Sequence, residues 1–256
     1  MTPNDQTPIE NKPILLLLHG WGYDLDCWLG SWMELLSDTY QVIGVNLPGH
    51  GEMSMVYDEH DGLAELDEWI NKSIGAINQP YHLLGWSLGG QVALRIAGTD
   101  PRVQSVVLLA TNPKFVTGPD WPLAMDPQVL EQFLAGYKSQ PTKTLRRFAS
   151  LQAQGATHGK RLQAELVQKM RANPSQTFGL TLLQELDERT TLSQLKIPCY
   201  LELPQADSLV PYAWVDKLSL PKNVEIRKVD GCHGYIFEDD YDFSAVSHFL
   251  KLGKQQ

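Results

Sequence analysis

The residues whose types and spacing could do chemistry begin with Ser87. It lies in Gly85-Trp86-Ser87-Leu88-Gly89, a G-x-S-x-G pattern. Glycine two residues to either side suits a sharp strand-to-helix turn, where larger side chains would collide. Such a turn presents the hydroxyl at the N-terminus of the following helix, whose dipole favours developing negative charge. The chemistry is nucleophilic acyl transfer, which needs a base and an acid that orients the base. In this type of turn-borne serine site the acid and then the histidine follow the serine in the chain. His158, His233 and His248 follow Ser87. His158 falls in a helical region and His248 in the last helix, whereas His233 sits in the glycine-flanked loop "VDGCHGYIF" after a strand. His233 is therefore the expected base. Asp207, in "YLELPQADSLVP" just past the preceding strand, is the expected acid; Glu202 lies within that strand, and Asp230 and Asp239, on the histidine's own loop or just beyond it, are the rivals.

A tetrahedral intermediate also needs two hydrogen-bond donors. The N–H of Leu88, directly after the serine, is one. The other is expected from "His19-Gly20-Trp21-Gly22", where the Trp21 N–H is the natural donor and its ring a wall of the site. His19 precedes Ser87, the wrong order for the base, and is expected to shape the loop.

These residues need elements that hold them. Ile14–His19 is a continuous apolar run that reads as a buried parallel strand. Gln41–Asn46, Tyr81–Trp86, Val103–Ala110, Ile197–Leu203 and Asn223–Val229 read likewise as strands. Cys27–Ser37, with Trp28, Trp32, Leu35 and Leu36 on one face, reads as a helix, as do Asp61–Ile77, Leu88–Ala97 and Tyr241–Leu252. Strands alternating with helices imply a mostly parallel sheet with helices on both faces, an α/β fold. From Asn112 to Thr191 the periodicity is helical, without a convincing strand. The expected organisation is a core of residues 1–111 and 192–256 with a helical cap, 112–191, inserted after the fourth strand.

Composition limits the alternatives. The chain has 256 residues, of which 43% are hydrophobic and 20% charged, enough for one domain with a sizeable core. Its net charge of −9 disfavours nucleic acid and anionic membranes as partners. The opening "MTPNDQTPIENKP" lacks the apolar stretch of a secretory leader, and "ILLLLHGW" is too short to span a bilayer. Cys27, Cys199 and Cys232 have neither paired nor metal-like spacing. The expectation is a cytoplasmic monomer without metal, cofactor or disulfide.

One segment departs from the acidic average. Between Lys138 and Arg171 there are eight basic residues and a single acid, Glu165. Within "TKTLRRFASLQ", Leu145, Phe148 and Leu151 share one helical face while Lys143, Arg146 and Arg147 point elsewhere. Apolar residues facing a pocket and cations facing out suit a substrate with an acyl chain inside and an anionic carrier outside. Such a patch steers an acidic partner and weakens with salt.

"LLLLHGWG", "VNLPGHGEM", "LLGWSLGG", "DSLVP" and "GCHGYIF" resemble, in order, the motifs of the α/β-hydrolase superfamily. "HGWG", "LGWSLGG", "NPKFVTGPDWPLAMDPQVLEQF" and "RRFASLQAQG" look like the BioH carboxylesterases of biotin synthesis. The resemblance implies hydrolysis of the methyl ester of pimeloyl-acyl-carrier protein. It further implies substrate contacts from Trp21, Ser87, Leu88, His233 and the segment Phe148, Ala149, Ser150, Leu151 and Gln152. Lys143, Arg147 and Lys160 would face the acidic carrier protein. The alternatives are a general short-chain carboxylesterase or C–C bond hydrolase acting on a free small molecule, and a non-catalytic protein that uses the pocket as a receptor.

Overall fold

The computed structural model describes residues 12–53 and 61–252. The reading of the N-terminal leader therefore lies almost wholly outside the described residues. The strands β1 (Ile14–Leu18), β2 (Gln41–Val45), β3 (Tyr81–Trp86), β4 (Val103–Leu109), β5 (Cys199–Pro204) and β6 (Val224–Val229) form one sheet. Its order is β2-β1-β3-β4-β5-β6, with every pairing parallel. β1, β3 and β5 are buried along their whole length, as continuous apolar runs covered on both faces should be. β6, at the edge, is only half-buried. The helices α1 (Ser31–Ser37), α2 (Gly62–Ser73), α3 (Leu88–Thr99) and α9 (Ser244–Leu252) accompany the sheet.

The strand order has a functional consequence. The chain moves outward from β1 to β2, returns to β3, and then proceeds the other way through β6. The loops leaving β1 and β3 diverge at this reversal, which opens a crevice at the C-terminal edge of the sheet. The β1 loop carries Trp21 and the β3 turn carries Ser87. Asp207 and His233 follow β5 and β6, so all four belong to the same edge.

Between β4 and β5 lie α4 (Pro127–Ser139), α5 (Pro141–Gln152), α6 (Gly159–Lys169), α7 (Thr177–Glu185) and α8 (Arg189–Ser193). Pro127 and Pro141 start α4 and α5, where the missing N–H matters least. The helical periodicity expected from Asn112 does not hold at the start of this segment. Before α4 the chain is irregular and joined by isolated bridges, Lys114 with Asp187, Val116 with Met125, and Gly118 with Trp121.

The expected helix Cys27–Ser37 is also corrected. Gly30, at φ 84°, separates a short 3-10 turn (Leu25–Trp28) from α1. Trp28, Trp32 and Leu36 are buried, but Leu35, at the margin of the inward face, is 43% exposed. No described helix is long and apolar enough to cross a membrane.

Candidate active site

Ser87 adopts φ 55° and ψ −121°, a conformation that few side-chain-bearing residues occupy. Hydrogen bonds hold it there. Its N–H donates to the Leu109 carbonyl at 2.9 Å, and its carbonyl accepts from Gly90 N–H at 2.9 Å and the Thr111 hydroxyl at 3.2 Å. The flanking glycines are required by close backbone approach. A Cβ on Gly85 would fall 2.6 Å from Gly90 Cα, and one on Gly89 would overlap the Leu18 carbonyl where β1 ends. Gly89→Ala is therefore expected to destabilise the fold by about 3 kcal/mol or more, because rigid backbone must move. Urea unfolding measures this, and a loss below about 1 kcal/mol would contradict the packing described.

The Ser87 hydroxyl lies 2.9 Å from His233 Nε2, and His233 Nδ1 lies 2.8 Å from Asp207 Oδ2. Asp207 is fixed from its other side, where Oδ1 accepts the N–H groups of Leu209 at 2.8 Å and Val210 at 2.9 Å. An ionised carboxylate only accepts hydrogen bonds, so the His233 proton belongs on Nδ1 and leaves Nε2 free to accept from Ser87. Both Asp207 and His233 are buried, while Ser87 is partly open. The Trp86 indole donates to the His233 carbonyl at 3.1 Å, and Gly234 N–H donates to the Gln152 carbonyl at 3.0 Å.

The rivals lie elsewhere. His158 and His248 are exposed on α6's N-cap and α9. Asp230 accepts from Gln205 at 2.8 Å, and Asp239 pairs with Arg161. Glu202 is buried under a set of tyrosine hydroxyls. His19 Nδ1 donates to the Gly20 carbonyl at 2.8 Å and its Nε2 accepts the Leu47 N–H at 3.1 Å, so its ring braces the β1 loop. Burial, aided by nearby His50, pushes His19 down to about 3, and burial pushes His50 down to about 4.

These two histidines give stability a pH dependence. The unfolded chain takes up their protons near pH 6.5, whereas the fold refuses them until about 4 or about 3. Stability is thus lost as pH falls below 6.5, by about 1.4 kcal/mol per pH unit for each histidine until its folded value is reached. His50→Asn should flatten the urea-derived stability profile between pH 6 and 5 by about one proton. Parallel profiles for the two proteins would refute this.

The N–H of Leu88 opens α3, where the first amides have no helical acceptor. The β1 loop passes directly beside the serine, since a Cβ on Gly20 would stand 3.3 Å from Ser87 Cβ. The Trp21 ring is buried, its indole donates to the Gln176 carbonyl at 2.8 Å, and it meets Phe133, Tyr137 and Phe148 edge-on.

Ser87 opens into an apolar cavity. Trp21, Phe148 and Leu151 line it, as do residues that the sequence pattern did not single out: Phe115, Met125, Val129, Leu130, Phe133, Leu180, Leu183 and Leu209. Leu180 and Leu183 share a face of α7 at a spacing of three, which was the available signal. Ala149, Ser150 and Gln152 do not line the cavity. Ala149 is on the buried side of α5, Ser150 faces solvent, and Gln152 Oε1 accepts the Tyr23 hydroxyl at 2.5 Å. A helix places every third or fourth residue on one face, so a run of five cannot all face one cavity. Lys143, Arg147 and Lys160 are exposed on α5 and α6. Arg161, beside them, is already paired with Glu165 and Asp239.

Comparison with known proteins gives the same architecture. Residues 15–247 match the alpha/beta hydrolase family model. A pimeloyl-[acyl-carrier protein] methyl ester esterase of Pseudoalteromonas atlantica is 34% identical over 79% of this chain and 79% of its own. One from Aliivibrio fischeri is 32% identical over 92% of this chain and 93% of its own. An esterase from Exiguobacterium antarcticum superposes with a TM-score of 0.81 over 96% of this chain and 93% of its own, at 19% identity. The chain belongs to the alpha/beta hydrolase family.

Proposed function

We propose that the protein is a serine carboxylesterase that hydrolyses the methyl ester of a pimeloyl group carried on acyl-carrier protein, a step of biotin synthesis. The observation that carries this reading is the position of Ser87, which joins the His233–Asp207 pair to the floor of an apolar cavity. Relatives that share about a third of its residues bear the name of that activity.

In this scheme Ser87 Oγ attacks the ester carbonyl as His233 Nε2 takes its proton. Asp207 holds the ring and stabilises its cation. The N–H groups of Leu88 and Trp21 receive the oxyanion. His233 then protonates the departing methoxide, methanol leaves, and water repeats the sequence on the acyl-enzyme. The scheme uses no metal or cofactor. Residues 112–191 act as a cap that encloses the acyl chain against Trp21, Phe148 and Leu151. The cations Lys143, Arg147 and Lys160 face an acidic carrier outside. The protein acts as a cytoplasmic monomer.

The test compares pimeloyl-carrier-protein methyl ester with the same ester lacking the carrier, at low and high salt. Exposed ion pairs contribute about 0.2–1 kcal/mol each, so changing Lys143, Arg147 and Lys160 together to glutamine should raise KM for the carried substrate roughly tenfold at low salt. Turnover of the free ester should not change. Equal use of both esters by the wild type, insensitive to salt, would favour an esterase of free small molecules.

A further inference from the structure

The buried carboxylate of Glu202 has no part in the scheme above. It lies on β5, five residues before Asp207, and is fully buried. Its Oε1 accepts the hydroxyls of Tyr235 at 3.0 Å and Tyr241 at 2.7 Å. Its Oε2 accepts the Tyr200 hydroxyl at 2.7 Å and faces Arg227 Nη1 at 3.4 Å. These donors together meet the roughly four lone-pair directions that a carboxylate offers. Burial first, and then Glu202 for Tyr200 and Tyr241, push these phenols upward; for Tyr235 burial, then neighbouring Tyr241 and then Glu202 do the same, so each remains a donor.

The arrangement is directed at one segment. Tyr235 and Tyr241 belong to the stretch that carries His233, whereas Tyr200 sits on the same strand as Glu202. That stretch has little regular structure of its own. Between the end of β6 and the start of α9 it contains only the 3-10 turn Tyr235–Phe237. It is entered through Gly231 at φ 129°. Trp86 and the Gln152 carbonyl hold it on the side of Ser87 and α5. On the side of β5, Glu202 gathers both of its inward tyrosines.

We propose that Glu202 is a positioning residue: through Tyr235 and Tyr241 it anchors the histidine segment to the sheet, so that His233 keeps its distances to both Ser87 and Asp207. The proposal rests on the reading of His233 as the base. A buried carboxylate is suited to this task because it accepts from two separate points of one loop at once. Neutral acceptors on β5 have fewer lone pairs and weaker bonds to hydroxyls. The hydroxyl of Tyr200 satisfies the same carboxylate from β5 itself and not from the loop, which supplies an internal control.

The test uses Glu202→Gln, Tyr235→Phe, Tyr241→Phe and Tyr200→Phe in the full chain, with an activated short-chain ester as substrate. kcat, KM, urea stability and the downfield proton resonance of His233 Nδ1–H are measured for each. Glu202→Gln is expected to lower kcat roughly tenfold with KM within about twofold, and to broaden the Nδ1–H resonance. Tyr235→Phe and Tyr241→Phe are expected to lower kcat by about three- to tenfold. Tyr200→Phe is expected to lose comparable stability while keeping kcat and the resonance. If kcat simply follows stability across all four variants, or Glu202→Gln retains both kcat and resonance, the positioning role is wrong. Should Glu202→Gln fail to fold, the three tyrosine variants decide the matter alone. His233→Ala separates the two readings: full kcat in that variant overturns His233 as the base, whatever Glu202 does.

Discussion

Ser87→Ala is expected to lower kcat for an activated ester by roughly 10,000-fold or more, and to remove any burst of acyl-enzyme. The hydroxyl is the group that stands 2.9 Å from His233 Nε2. Folding stability should change little, because alanine meets the same backbone strain. Ser87→Gly separates chemistry from strain. At φ 55° and ψ −121° a residue with a Cβ stores about 1–3 kcal/mol, which glycine releases. Glycine also gains freedom in the unfolded chain, which offsets about 0.4–1 kcal/mol of that. The glycine variant should therefore be inactive yet more stable by about 1 kcal/mol, read from urea midpoints. A Ser87→Ala protein that keeps more than about 1% of kcat would remove Ser87 from the role of nucleophile.

Asp207→Asn should be nearly as damaging, about 1,000- to 10,000-fold in kcat, although it changes one atom. The reason is in the carboxylate's partners. Oδ1 accepts two backbone N–H groups, from Leu209 and Val210, so an asparagine must keep its oxygen there. Its NH₂ then faces His233 Nδ1, where Oδ2 was. The imidazole is forced to accept at Nδ1 and to carry its proton on Nε2, pointing a donor at Ser87. The nucleophile loses its base without any loss of packing. Stability should drop by no more than about 1–2 kcal/mol, and the downfield Nδ1–H resonance should vanish. An Asp207→Asn enzyme within about tenfold of the wild type would mean that the tautomer is set by something else.

Sequence pattern carried much of this geometry where local rules act. Gly85 and Gly89 are legible because the collision that excludes a side chain arises between near neighbours and the end of an adjacent strand. The buried strands are legible because parallel strands covered on both faces leave no place for polar alternation. Asp207 and His233 could be ordered by chain position relative to strands. What lies opposite a helix face is different, since periodicity gives the face but not its neighbour. Phe115, Met125 and Leu209 come from irregular stretches and meet α5 and α7 only in three dimensions. Gln152 followed a substrate-contact pattern, yet its side chain and carbonyl serve Tyr23 and Gly234 instead. Glu202 was legible as an acid near the site, but the tyrosines that occupy it are 33 and 39 residues away.

The bonds between the helical segment and the serine's surroundings bear on how far this architecture can be recombined. The indole of Trp21 is accepted by Gln176, the hydroxyl of Tyr23 by Gln152, and the amide of Gly234 by the Gln152 carbonyl. Grafting between β4 and β5 a foreign segment that places no acceptor at these points would orphan the donors in the interior, at about 1–3 kcal/mol each. Exchange of the segment is therefore constrained by the acceptors it supplies to the site. Chimeras of this segment must match acceptors to the side chains of Trp21 and Tyr23, whereas the Gly234 amide needs only a main-chain carbonyl at the end of α5.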